Sequence, residues 1–414
     1  LLPAAVAVTL AVTLAACGSS GGGFSGKSGG SGKLTGKTTG ASLQLMFGSS
    51  GDAETNSLKA AVDAWGTKTG NKVKLLPAAN FAQQLTQAMA GGAPPDLFYG
   101  TPAQFQSLVK SQSLAATGAD VTDPSDFYPN LVKAFTVGKT YYCAPKDFST
   151  LAIEINTDMW HKAGLTDADL PTTWDKLEAA AKKLTGSGVA GLVLQDTLDR
   201  VGAFMAEAGG SYMNPAGTQF TFDSPQNLQG LQYVQKLAKE GVLKFPKQVN
   251  AGWGGEALGK DKAAMAIEGN WLVGAMKTDY PKLNYRVVPM PTGPTGKQGT
   301  LSFTNCWGVA AKSSNQAAAV SLINYLTTDT QQLTFASTIG VMPSRQSAKA
   351  QFIAQNPAQQ AFIDEAGYAV PQVTTPGFAQ VQAQFDSQVI NLGSSSDPKT
   401  MLAQLQKNAD ALPK

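Results

Sequence analysis

The sequence predicts an α/β protein of two domains, and three observations point that way. Short strand-like apolar runs alternate with segments whose apolar residues recur at helical spacing, the pattern of layered α/β folds. The body from residue 41 to 414 is long for a single core. The composition of the whole chain, 43% hydrophobic and 15% charged, is that of a globular protein, and no internal repeat interrupts it.

Ser42-Leu43-Gln44-Leu45-Met46-Phe47 reads as the first strand, stopped by Gly48-Ser49-Ser50-Gly51-Asp52. A helix follows, with Leu58, Ala61, Val62 and Trp65 on one face. Val73 to Leu76 is the second strand, ended by Pro77, and Phe81, Leu85 and Met89 mark a second helix. Pro94-Pro95-Asp96 then feeds a short buried strand, Leu97-Phe98-Tyr99-Gly100, which completes three strand–helix steps with a parallel sheet as their natural arrangement. Leu151 to Asn156 is a further strand. Thr173 is placed to cap a helix bearing Leu177, Ala180, Ala181 and Leu184. Gly191 to Gln195 is a strand, Ser224 to Lys239 a helix, and Ala317 to Leu326 and Met401 to Leu412 are late helices.

The N-terminal part is of another kind. Leu1 to Ala16 carries no charge and is too short to span a bilayer, which suits the apolar core of a signal peptide. Small residues precede Cys17, so residues 1–17 resemble a bacterial lipoprotein signal with Cys17 as the acylated residue. The charged start of such a signal is missing, so a few residues are expected before Leu1. From Gly18 to Gly40 the chain is nearly all Gly, Ser, Thr and Lys, a composition that predicts a flexible tether with folding from about Ala41. With Cys17 lipidated, Cys143 and Cys306 remain, an even number that suggests a disulfide in a secreted protein.

The formal net charge of +3 is small, and no basic stripe with interleaved aromatics suggests nucleic acid. His161 is the single histidine, and no His/Cys/carboxylate cluster suggests a metal; no cofactor is expected. No nucleophile elbow or phosphate loop is present. Asp52 and Asp196 could face one another as a glycosidase pair, but carboxylates that bond sugar hydroxyls explain them without catalysis.

Six segments in order carry a resemblance. Pro95-Asp96-Leu97-Phe98, Tyr142 to Pro145 with Leu151 to Asn156, Pro171 to Leu177, Gly259 to Trp271, Val288 to Pro291 and Gly340 to Arg345 are similar to motifs of the extracellular solute-binding proteins of ATP-binding-cassette importers. The group resembled is family 1, the maltose-binding-protein-like carriers of sugars and oligosaccharides. The resemblance implies a two-lobed periplasmic-binding-protein-like fold of type II, with a cleft between lobes and a hinge of crossing strands. It places residues 41–143 and 308–342 in an N-terminal lobe and 147–305 and 345–414 in a C-terminal lobe. It also puts Cys143 beside Cys306, although a Gly commonly stands at the first position in the family. A sugar or oligosaccharide ligand, permease subunits, a lipid-held place outside the cell membrane and a monomeric state are implied with it. An amino acid, a peptide or ferric ion is the alternative ligand; the scarcity of arginine disfavours anions.

A sugar site needs aromatic platforms and side chains that both donate and accept. Trp271 is the first candidate, with Asn270 preferred over Glu268 because strand alternation would turn Glu268 away. Trp253 sits in a glycine-rich loop. Ser49, Ser50 and Asp52 follow the first strand, with Glu54 as a complement to the helix dipole. Tyr99, Thr101 and Gln104 follow the third strand; Gln195 and Asp196 end a later one, and Asn305 and Arg345 lie at the crossovers.

Overall fold

A computed structural model of the chain describes residues 33–49 and 51–412, which belong to one compact unit. The expectations for the signal segment, Cys17, most of the tether and Ser50 fall outside the described residues.

The strands are β1 (Ser42–Phe47), β2 (Lys72–Pro77), β3 (Leu97–Gly100), the small hairpin β4 (Thr136–Val137) and β5 (Thr140–Tyr141), β6 (Ala144–Asn156), β7 (Leu192–Leu194), β8 (Leu243–Lys244), β9 (Met265–Gly269), β10 (Tyr285–Val288), β11 (Leu301–Val309) and β12 (Val370–Pro371). Apart from the hairpin they form one sheet in the order β2-β1-β3-β11-β6-β9-β7-β8, with β10 added to β6 and β12 to β11. The first three strands are parallel, as the strand–helix alternation requires.

Two long strands carry the sheet from one half to the other. The first half of β6 pairs antiparallel with β11, and its second half pairs with β9 and β10. The last residues of β11 pair in turn with β3. Between the pairs Asn305–Asp147 and Cys306–Pro145 the register shifts, so Lys146 is the extra residue of a β-bulge at the crossing. Such a bulge re-aims the side chains beside it.

Buried apolar residues gather on either side of this crossing. One core runs from Leu43, Leu45 and Phe47 through Trp65 and Trp307 to Phe335. Another joins Leu151, Ile153 and Ile155 to Phe204, Leu231, Ile267, Phe385 and Leu405. A smaller cluster mixes Tyr128 and Leu131 with Phe148, Phe352 and Phe362 across the crossing. Among the helices, Trp174–Leu184 begins as its sequence predicts: the Thr173 hydroxyl accepts from the Lys176 N–H at 3.3 Å, and Leu177, Ala180, Ala181 and Leu184 are buried.

Folding starts earlier than Ala41. The Thr35 carbonyl accepts from the Ala317 N–H at 2.9 Å, and its hydroxyl donates to the Ser313 carbonyl at 2.7 Å. Asn71 Nδ2 holds the Thr38 carbonyl at 2.9 Å. Thr35 thus satisfies an otherwise unpaired N–H at the start of the helix Gln316–Leu326, and composition alone does not reveal such a tie.

Candidate functional site

On β11 alternation puts Phe303, Asn305 and Trp307 on one face. Their neighbours across the ladders are Ser149, Asp147 and Tyr99. A strip of aromatic and polar side chains therefore runs along the crossing strands from one half of the molecule to the other.

Trp271 forms one end. It is 37% exposed, the only large apolar side chain so exposed among the described residues. Its indole lies against Gly269, where an added Cβ would come within 2.3 Å of the ring, so only glycine lets the ring settle on the backbone there. Phe303 meets the indole edge-on at 5.5 Å, and the Arg200 guanidinium lies over both rings, 4.9 Å from the centre of Trp271 and 5.6 Å from that of Phe303. Glu268 fixes the group. Its Oε2 accepts from Arg200 at 2.8 Å and from the Trp271 indole N–H at 3.1 Å, while Oε1 accepts from the Gly254 N–H at 3.2 Å.

This reverses the expected choice between Glu268 and Asn270. Strand β9 stops at Gly269 and Asn270 already has helical φ −64 and ψ −10, so alternation ends there and Trp271 returns to the side of Glu268. Asn270 is buried; its amide donates to the Gly340 carbonyl, and its N–H donates to Ser149 Oγ at 3.0 Å. Behind Glu268 lies Glu154, whose Oε2 accepts from the Glu268 N–H at 3.1 Å. Burial, and then the charge on Glu268, push the Glu154 carboxyl well above the usual range.

The bulge forms the other end. The Lys146 ammonium pairs with Asp147 and, at 3.4 Å, with Glu54, and lies 4.7 Å from the centre of the Tyr99 ring. The Tyr99 hydroxyl donates to Glu54 Oε1 at 2.9 Å, and Trp307 packs edge-on against that ring at 5.2 Å. Burial, then Glu54 and Asp147, push the Tyr99 hydroxyl up, so it stays a donor. Glu54 is thus bound into the strip rather than merely complementing a helix end, whereas Asp52 is exposed at the start of the helix Asp52–Thr69.

Between the ends, a cavity of about 220 Å³ is lined by Thr101, Asn305, Gln372, Phe378 and Gln382 among others. Thr101 donates to Gln104, and Gln195 to Asp196 at 3.1 Å. Gln372 donates to Asp199, the neighbour of Arg200, at 3.1 Å. A larger hollow of about 600 Å³ around Asn156, Asp261 and Tyr280 shares no residue with the strip.

The remaining expected residues stand apart. Trp253 is half-buried over Gly255, where an added Cβ would come within 2.1 Å of its ring, and packs by Leu258 and Leu272. Ser49 is exposed, and its hydroxyl donates to the Gly51 carbonyl at 2.7 Å. Arg345 is 6% exposed and donates to the carbonyls of Thr327, Asp123 and Thr122, an anchor for loops rather than a group open to a ligand. The Cys143 and Cys306 sulfurs lie at bonding distance, with Cα atoms 5.7 Å apart. No group of side chains among the described residues could hold a metal ion, and no described helix is long and apolar enough to cross a membrane.

Arg200, Phe303, Lys146, Gln372 and Gln382 were not singled out from the sequence. Phe303 could have been, since it stands two residues from Asn305 on a strand. A further carboxylate sits behind the site: Asp386 Oδ1 accepts from the Leu198 N–H at 2.6 Å. Burial, helped by Asp199 and Asp196, pushes its pKa from 3.8 to about 7. A raised carboxyl pKa favours folding below the unfolded value, and that contribution is lost as pH rises from about 4 to about 7. Melting temperatures across that interval should therefore decline less steeply in Asp386→Asn than in the wild type; parallel curves would remove Asp386 as the cause.

The comparisons with known proteins agree with this geometry. Residues 49–333 match the family described as bacterial extracellular solute-binding protein. A binding protein of Brucella abortus is 26% identical over 342 residues, 77% of this chain and 81% of that protein. The sn-glycerol-3-phosphate-binding periplasmic protein of Brucella melitensis is 23% identical over 329 residues, 74% of this chain and 75% of its own. The crystal structure of the cyclic alpha-maltosyl-1,6-maltose binding protein from Arthrobacter globiformis superposes with a TM-score of 0.79 at 18% identity, covering 89% of this chain and 98% of that one, so the fold is two-lobed and periplasmic-binding-protein-like. The chain belongs to the bacterial extracellular solute-binding protein family.

Proposed function

We propose that the protein captures a sugar or oligosaccharide in the cleft between its lobes and delivers it to the permease of an ATP-binding-cassette importer. The observation that carries this reading is Trp271, an exposed indole set flat on Gly269 and braced by Phe303 and Glu268. An indole braced by Gly269 and Arg200 and still 37% exposed offers apolar surface to the C–H groups of a sugar, and the polar groups along β6 and β11 suit its hydroxyls. The lobes would be residues 41–143 with 308–342 and residues 147–305 with 345–414, joined at the bulged crossing. Closure there favours ligand held by both lobes, and micromolar affinity, about −8 kcal/mol, suits a carrier that must release its cargo.

The same reading has Cys17 lipidated with the Gly/Ser-rich segment after it as a tether, Cys143 and Cys306 oxidised outside the cell and the protein monomeric, with no reaction catalysed. Arg200 in the strip, together with the glycerol-phosphate-binding relative, favours a phosphate ester as the second reading. Titration of the purified protein with mono- and oligosaccharides, followed by tryptophan fluorescence and Tm together, tests the first. A saturable change in both with a saccharide is expected; no response to any saccharide would refute it.

A further inference from the structure

We infer that Glu154 is the positioning residue of the Trp271 platform and that its proton sets the affinity of the site. Uncharged, it leaves Glu268 to hold Arg200 and the indole together; ionised, it competes with Glu268 for Arg200. Glu154 is 0% exposed and touches no ligand itself. The inference rests on the reading of Trp271 as the ligand's platform and adds its regulation.

Glu154 and Glu268 are diagonal neighbours on one face of the sheet, because across β6 and β9 Glu154 pairs with Ala266 and Ala152 with Glu268. Both carboxyls are buried, and Glu154 Oε2 accepts from the Glu268 N–H at 3.1 Å. One guanidinium serves the two. Arg200 gives Nη2 to Glu268 at 2.8 Å and Nη1 to the Asp199 carbonyl at 3.1 Å. Its Nε–H is left buried without a hydrogen-bond partner, and so is Glu154 Oε1. The cluster thus holds an unused donor and an unused acceptor, the parts of a second arrangement in which Glu154 takes the guanidinium. With both carboxyls ionised, two negative charges compete for one positive charge away from water, and a buried charge left unpaired is costly.

The other groups around Glu154 offer no second cation. Ala266 and Val287 stand opposite it on β9 and β10, and Tyr285 on β10 has its hydroxyl pushed up by burial and then by Glu154. On the helices Gly254–Gly259 and Trp271–Asp279 beside β9, Glu256 is paired with Lys260, and Lys277 and Asp279 are exposed. Burial and the Glu268 charge favour the neutral acid in the ligand-free protein. A ligand laid on Trp271 excludes more water from the cluster and favours it further. The liganded form then holds the proton to higher pH than the free form. Affinity is therefore full below the free protein's value and is lost as pH rises through it.

Tryptophan emission of the ligand-free protein from about pH 5 to about pH 9, with the Trp271→Phe spectrum subtracted, tests this in wild type, Glu154→Gln and Glu268→Gln. One titration step is expected in the wild type and none in Glu154→Gln. In Glu268→Gln the step should come at lower pH, because Arg200 is free to pair with Glu154. In calorimetric titrations with maltose, wild-type affinity should fall by up to about tenfold per pH unit above the step, the limit for one linked proton. Glu154→Gln should bind maltose equally at both ends of the range. No step in the wild type, the same step in Glu154→Gln or an unmoved one in Glu268→Gln would overturn the inference, as would maltose affinity that stays level through the step. The expected steps with no maltose bound at any pH would uphold Glu154 as the positioning residue and count against the carbohydrate reading alone.

Discussion

Replacing both half-cystines, as Cys143→Ser with Cys306→Ser, or reducing the native protein, should lower its stability by about 5 kcal/mol and its Tm by several degrees. The figure follows from the length of chain that the bond closes, a sequence separation of 163 residues. In the chain-entropy account, freeing a loop of that size gives the unfolded ensemble many more conformations, while the folded state changes little. The site suits a bond that contributes fully: both cysteines are 0% exposed, and they sit where β11 leaves β6 for β3. Calorimetric scans with and without reductant measure it. Identical Tm values under the two conditions would mean that the thiols are free or that the bond constrains nothing.

The second large effect is expected at the bulge. Lys146→Met should cost about 3–5 kcal/mol, because it removes the cation shared by Glu54 and Asp147 and leaves two carboxylates enclosed. Burial already pushes the Asp147 carboxyl up, against the pull of Lys146. Without the ammonium, both carboxyls would hold their protons to higher pH than in the unfolded chain. A raised carboxyl pKa favours folding at low pH, and that contribution disappears as pH rises through the folded value. The deficit of Lys146→Met should therefore be larger near pH 8 than near pH 5 in urea unfolding. A deficit independent of pH would show that lost packing of the lysine stem, not lost charge, is the cause.

Both effects come from the crossing strands, which the sequence disclosed only partly. Strand β1, the second half of β6, the cap at Thr173 and the pairing of Cys143 with Cys306 could be read because each leaves a local or countable mark: apolar alternation, a Thr three residues before an amide, two cysteines left once Cys17 is set aside. Lys146 leaves none. It differs from a paired strand residue only in lacking an opposite number on β11, and that depends on how two segments more than a hundred residues apart align. Glu268 was misplaced because alternation was carried one residue past the point where β9 turns into a helix. Gln372 and Gln382 lie where no periodic pattern marks a role; they reach the cavity because β12 pairs with β11 and brings that segment to Asn305. Arg345, with a charge that suggested a ligand, instead spends its donors on three backbone carbonyls, and sequence cannot distinguish the two uses.

The central claim is that the ligand lies on Trp271, and one comparison tests it most directly: calorimetric titration of wild type and Trp271→Ala with the saccharide that binds the wild type. Removing the indole forfeits its hydrogen bond to Glu268 and its contacts with Phe303 and Arg200, so Tm should fall by a few degrees while the variant stays folded. The account predicts an affinity at least about tenfold weaker, equivalent to about 1.4 kcal/mol or more. Undiminished affinity in the folded variant would contradict it and place the ligand elsewhere.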